Sequence, residues 1–109
     1  LILAVKCFCQ KLQMTYSYPF AKAGEPWLRQ VWNKGSIIPG YDPTVWRHDV
    51  CGKPMMFGAH GDRNSQYGWE VDHIQPASKG GPDALWNLQP LHWQSNMEKA
   101  DQWPWRRSS

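Results

Sequence analysis

Between Trp69 and Asp101 the chain reads as an extended run, a turn cluster, a second extended run and a helix, an order that leaves few folds open. The first run, Trp69 to His73, is closed by Pro76 and Gly80-Gly81, residue types that break a strand and turn the chain. Residues 86–91 form the second, with Pro90 at its exit, where a missing amide costs little before a helix. Residues 91–100 read as the helix, with Trp93 and Met97 at i and i+4 on one face and Asn96 on another. Within the first run stands Asp72-His73. Successive side chains on a strand point to opposite faces, so a plain strand cannot aim both at one target. The pair is expected at a strand end, where the chain turns.

Upstream, residues 51–57 read as a short strand and residues 58–68 as a polar loop carrying Asp62, Arg63 and Asn64. With Trp69–His73 they are expected to make an antiparallel hairpin. Residues 26–50 are rich in Trp, Gly, Pro and Asp. Trp27, Leu28 and Val31 suit one or two helical turns stopped by Gly35 and Pro39. Residues 39–43 form a turn cluster, after which Asp42-Pro43 is expected to open a short helix carrying Val45 and Trp46. This Trp-rich stretch is expected to wrap the core and cover an edge, while Trp69, Trp86, Leu88, Leu91 and Trp93 are expected inside. Residues 1–13 are read as an extension of uncertain status, apolar at first but with no basic region or small-residue cleavage site of a signal peptide. Residues 14–109 are read as one domain with its functional core at about 51–101.

A chain of 109 residues is near the lower edge of what buries a self-sufficient core. Eight Trp compensate, each burying roughly 150–250 Å². No run of apolar residues is long enough for a membrane-spanning helix. The formal charge of +3 is unevenly spread. Residues 68–101 hold five acids against two bases, and the rest of the chain holds ten Lys or Arg against four acids. An acidic centre between basic flanks suits a metal site whose substrate is a polyanion. The cysteines at 7, 9 and 51 lack the spacing and number of a zinc quartet, so free thiols in a reducing compartment and no structural zinc are expected.

The chemistry gathers on Asp72, His73, Asn87 and Asn96. Hydrolysis of a phosphodiester needs an activated water, charge stabilisation at the phosphate and help for the leaving oxygen. His73 is the candidate base, since imidazole has an unperturbed pKa near neutrality. Asp72 offers a hard oxygen ligand to a metal. Asn96 follows His73 by 23 residues, and its amide oxygen could complete the pair. Two such oxygens with positions left for water suit Mg²⁺, with Mn²⁺ as the second choice. His92 and Lys99 are further candidates, His92 as a ligand or phosphate contact and Lys99 at a phosphate. Lys53, Arg63, Arg106 and Arg107 are candidate contacts to a nucleic-acid backbone.

The runs Gly68-Trp69-Glu70-Val71-Asp72-His73-Ile74, Gly80-Gly81, Asn87-Leu88-Gln89-Pro90-Leu91-His92-Trp93 and Asn96-x-x-Lys99-x-Asp101 resemble compact bacterial and phage proteins of the HNH nuclease family. Trp46-Arg47-x-Asp49-x-Cys51-Gly52 extends the likeness toward Trp27. The resemblance implies an α+β fold: a small ββα-metal core behind an N-terminal Trp-rich wrapping segment. It implies a metal-dependent endonuclease that hydrolyses DNA, with His73 activating water and Asp72 and Asn96 holding the ion. Asn87 matches the middle letter, whose side chain in relatives bonds the backbone of the loop holding the base. Ala100 stands where some relatives place a further His. The two Cys pairs of some relatives cannot be built here. The expected partner is duplex DNA read with little sequence preference, in the cytoplasm of a bacterial or phage-infected cell, with a protein partner or dimer left open. The alternatives are a nucleic-acid-binding module without turnover, or an RNA-cutting or toxin nuclease.

Overall fold

A computed structural model describes residues 26–107, so the expectations for residues 1–13 and for a start at Met14 lie outside the described residues. The architecture is α+β. Helix α1 (Pro26–Trp32) opens on a proline, which fits the first helical position because the amide there has no intrahelical partner. Leu28, Val31 and Trp32 fall at i, i+3 and i+4, and all three are buried. The helix ends where Gly35 N donates to Trp32 O at 2.9 Å.

Strands β1 (Ser36–Ile37), β2 (Trp46–His48) and β3 (Pro54–Met56) make an antiparallel sheet in that order, with Ser36 opposite His48 and Trp46 opposite Met56. Strands β4 (Trp69–His73) and β5 (Leu88–His92) form a separate antiparallel pair, running from Trp69↔His92 to His73↔Leu88. Helix α2 (Trp93–Lys99) follows β5 directly and packs on both strands.

Two local expectations are corrected. The strand within residues 51–57 pairs with β2 and not with Trp69–His73. The cause is a tight turn at Asp49, whose Oδ1 accepts from Cys51 N and Lys53 N at 2.9 Å each, while Gly52 takes a φ of +83°. That turn folds the chain straight back onto β2. The second correction concerns Asp42-Pro43, which opens a turn and not a helix. Asp42 Oδ1 accepts from both Thr44 N and Thr44 Oγ1, and the chain leaves the turn extended, as β2.

The core consists of Leu28, Trp32, Met55 and Trp69, with Trp27, Phe57 and Val71 packed against it. The Trp-rich segment is thus part of the core as well as its cover. Trp32 and Trp69 pack with ring centroids 5.0 Å apart, and each buried indole N–H has an acceptor, Pro43 O at 2.9 Å and Phe57 O at 3.1 Å respectively. Leu88 and Leu91 are buried as expected, but Trp86 is 69% exposed. It sits in a 3-10 turn (Leu85–Asn87) that turns Asn87 inward instead. Trp93 is half-buried, its indole N–H donating to Ser65 O at 2.9 Å.

The inward face of α2 also differs from expectation. Ser95 and Lys99 are buried, Asn96 is half-buried and Met97 is exposed. At the entry to β4 the chain passes so close to the preceding loop that a Cβ on Gly68 would lie 1.9 Å from Asp62 O. Only glycine fits there.

His60 stacks near Trp69, ring centroids 4.8 Å apart, and burial pushes its pKa from 6.5 down to about 4, against the opposing pull of Glu70. Between those values the unfolded chain binds a proton that the folded chain excludes, so stability falls as pH drops from 6.5 to 4, by up to about 3 kcal/mol. Urea unfolding of the parent and of His60→Gln at pH 7 and pH 4.5 checks this. The parent should lose more stability on acidification than the variant, and equal losses would contradict the assignment.

Candidate active site

The site is built where β4 meets α2. On β4, Trp69 and Val71 face the core, so Glu70 and Asp72 face the other way, toward α2. Register places Gln89 opposite Asp72 and Leu91 opposite Glu70, on that same face. Gln89 Nε2 donates to Asp72 Oδ2 at 3.0 Å. From α2, Lys99 Nζ lies 3.4 Å from Asp72 Oδ1 and donates to His73 O at 2.9 Å. One turn back on the helix, Asn96 Nδ2 donates to Glu70 Oε1 at 2.7 Å. Asp72, Glu70, Asn96 and Lys99 therefore share one strand–helix face. Asp72 is 7% exposed, and burial raises its pKa, an effect that Lys99 and the Gln89 hydrogen bond oppose but do not cancel.

His73 is the last residue of β4, so the pair does stand at the strand end. Both residues are nevertheless still in the ladder, Asp72 opposite Gln89 and His73 opposite Leu88, and their side chains leave on opposite faces. The His73 ring is turned toward the glycine loop, where Nε2 meets Asp83 Oδ1 at 2.6 Å.

Asn87 is 1% exposed and joins the two ends of that loop. Its Oδ1 accepts from Gln75 N at 2.9 Å, and its Nδ2 donates to Gln75 O at 3.0 Å and Pro82 O at 2.9 Å. A Cβ on Gly81 would lie 1.7 Å from Gln75 O, which is why the second glycine is required.

The additional candidates are placed differently from the sequence reading. His92 caps α2: its Nδ1 accepts from Gln94 N at 3.0 Å, its Nε2 lies 2.7 Å from Gln66 O, and its backbone N donates to Asp49 Oδ2. With Nδ1 accepting, the ring hydrogen sits on Nε2, and neither nitrogen is left for a metal. Lys99, expected at a phosphate, is 1% exposed and lies inside the β4–α2 face. Arg63 holds Glu70 through two bonds, Nε to Oε2 at 2.6 Å and Nη2 to Oε1 at 2.8 Å. Arg107 lines a groove with Gln89, Lys99, Trp103 and Trp105, beside the Asp72 face. Lys53 is half-buried at the Asp49 turn, where its backbone N donates to Asp49 Oδ1, and Arg106 is exposed. Several other basic side chains bind backbone carbonyls, Arg47 to Pro43, Asn33 and Gly35, and Lys34 to Leu85 and Leu88.

Three residues outside the sequence reading of the site belong to it: Glu70, Asp83 and Gln89. Glu70 had a legible signal, standing two before Asp72 on the same strand face. Asp83 and Gln89 had none beyond their neighbourhood.

Among the described residues no group of three or more His, Cys, Asp or Glu side chains could hold a metal. Those residues gather no nitrogen and sulfur donor set of the kind zinc takes. The donor chemistry fits a hard cation better. Asp72 is a buried carboxylate, and Asn96, with Nδ2 on Glu70, leaves its Oδ1 pointing away from that contact. One carboxylate and one amide oxygen are a donor set that Mg²⁺ accepts, because it keeps waters and takes phosphate oxygens.

Removing the Asn87 amide strips partners from buried backbone groups. Asn87→Ala should cost about 2–3 kcal/mol, and Asn87→Asp, which can accept but not donate, should also destabilise. Chemical denaturation measures both; a loss below about 0.5 kcal/mol in each would show that the clamp is not formed.

A family model described as HNH endonuclease matches residues 49–102. No curated protein and no solved structure matches the chain. The matched segment begins at the Asp49 turn, contains β3, β4, β5 and α2, and includes Asp72, His73, Asn87 and Asn96. Over residues 49–102 the chain carries a domain of the HNH endonuclease family, a family of nucleases.

Proposed function

We propose that this chain is a divalent-metal-dependent endonuclease that hydrolyses DNA phosphodiester bonds. The observation that carries the reading is the arrangement at the end of β4: buried Asp72 and Asn96 on the shared β4–α2 face, with His73 next in the chain. The phosphate would sit beyond the strand end, because side chains alternate along β4 and a target over either face would meet only one of the pair.

In this reading Asp72 Oδ atoms and Asn96 Oδ1 would hold the cation. Bound there, a divalent ion polarises a phosphate oxygen and stabilises the leaving oxygen. Magnesium is the expected ion and manganese a substitute. His73 takes a proton from the attacking water. Lys99, through His73 O and Asp72, fixes the spacing between ligand and base. Asn87 holds the loop that follows the base. Glu70, itself gripped by Arg63, orients the Asn96 amide so that nitrogen and oxygen point in defined directions.

Affinity for DNA would come from basic side chains at phosphates, with little sequence preference. Lys53, Arg106 and Arg107 are the proposed contacts. Arg63 joins them only by sharing its guanidinium with Glu70. The Lys99–Asp72 contact also favours a second reading, a module that binds nucleic acid without turnover, because an internal ammonium lets the face close with no cation.

Activity separates the two. His73→Ala should lower DNA cleavage about 10²- to 10⁴-fold with folding and DNA binding retained. Equal cleavage by variant and parent would reject His73 as the base. Asp72→Ala and Asn96→Ala should weaken Mn²⁺ binding in calorimetry together with activity, and unchanged affinity in both would move the ion elsewhere. On metal-free His73→Ala protein, neutralising Lys53, Arg106 and Arg107 should weaken DNA binding and flatten its salt dependence. A salt response unchanged by these substitutions would place the phosphate contacts on other residues.

A further inference from the structure

The loop between β4 and β5 brings a carboxylate to the candidate base, and we propose that Asp83 is the positioning residue that fixes which nitrogen of His73 takes the proton. The inference rests on the reading of His73 as base and deepens it. Asp83 Oδ1 lies 2.6 Å from His73 Nε2, short for a nitrogen–oxygen hydrogen bond and just inside the usual separation of charge-assisted pairs, which run shorter than neutral ones. A carboxylate accepts only, so the ring hydrogen stands on Nε2. Nδ1 is then the atom that receives a proton.

An ion pair on an exposed loop is ordinarily worth little, because holding two side chains together costs entropy and water screens them. Asp83 is indeed exposed, at 64% of its side chain, but His73 is not, at 14%. The backbone that delivers Asp83 is also pinned. Asn87 Nδ2 donates to Pro82 O, the residue before it, and to Gln75 O, two residues after the base. Gly81 N donates to Pro76 O at 3.0 Å, and Gly81 packs against Gln75 so closely that no side chain could stand there. One buried amide therefore fixes the distance between the strand end that bears the imidazole and the loop that bears the carboxylate. The glycine pair, the proline, Asp83 and Asn87 act as one device, and its product is an oriented ring.

Proton bookkeeping is consistent with this. As the water oxygen attacks phosphorus, its proton passes to Nδ1. The Nε2 hydrogen remains on the ring, donating to Asp83, which stays ionised and offsets the charge the ring has gained. Loss of the partner that orients a metal-bound imidazole typically costs about 10- to 100-fold, and a loss of that size is expected here.

The test reads the ring directly. In long-range ¹H–¹⁵N spectra at alkaline pH, His73 of the intact protein should be the Nε2–H tautomer. Asp83→Ala should give a mixed population, and Asp83→Asn, whose amide oxygen still accepts, should keep the Nε2–H form. On plasmid DNA with Mg²⁺, Asp83→Ala should lower kcat about 10- to 100-fold, leaving KM nearly unchanged, with Asp83→Asn between it and the parent. An unaltered tautomer in Asp83→Ala overturns the inference whatever the activity does, and a lowered kcat beside it would assign Asp83 to substrate contact. A shifted tautomer with kcat unchanged also overturns it, since orientation would then have no consequence. A parent protein that cleaves nothing rejects the nuclease reading, and the tautomer spectra still decide whether Asp83 sets the ring.

Discussion

The ammonium of Lys99 is the contact on which the site depends. It is buried, it donates to the carbonyl of His73, and it stands 3.4 Å from the carboxylate of Asp72. A charge removed from water needs both a counter-charge and hydrogen bonds, and Lys99 finds them on the two adjacent residues proposed to carry the chemistry. Helix α2 is only seven residues long and could not persist alone. It is held by this bond, by Asn96 on Glu70 and by the His92 cap. Anything that fixes α2 therefore also fixes Asn96 relative to Asp72. Burial raises the pKa of Asp72 in spite of the Lys99 ammonium and the Gln89 hydrogen bond.

A second constraint acts on the other side of β4. The Asn87 amide, the close approach at Gly81 and the Asp83–His73 contact set the position of the ring. The strand end is thus gripped from both faces, by a helix that orders oxygen donors and by a loop that orders a base. Adjacent residues with opposed side chains are well suited to this division. Neither group has to share its surroundings with the other, so burial against α2 can act on the carboxylate while the loop carboxylate of Asp83 acts on the imidazole.

Much of this was legible in the sequence, and what was not has physical reasons. The order strand, glycine loop, strand, helix was readable because Pro76, Gly80, Gly81 and Pro90 punctuate it. The pairing of β3 was not, because alternation and turn residues say where strands are but not which strand each joins. The decisive element was the Asp49 side chain closing a tight turn before Pro54. The inward face of α2 was misread because Trp93 and Met97 are its large apolar residues, whereas the surface it covers carries Glu70 and Asp72 and is matched by Asn96 and Lys99. Lys99 and His92 looked like surface chemistry in the sequence. Their burial follows from tertiary contacts with Asp72 and Asp49, residues 27 and 43 positions away. Trp86 looked like core and is exposed, since one 3-10 turn decides whether it or Asn87 points inward.

The central claim is that this face binds a hard divalent cation and turns over DNA. It is tested most directly by incubating supercoiled plasmid with the purified protein under three conditions: Mg²⁺, Mn²⁺, and EDTA. The account predicts nicked and linear products with either metal and intact plasmid with EDTA. Cleavage that persists in EDTA, or plasmid left intact in both metals by a protein that still binds it, would contradict the account.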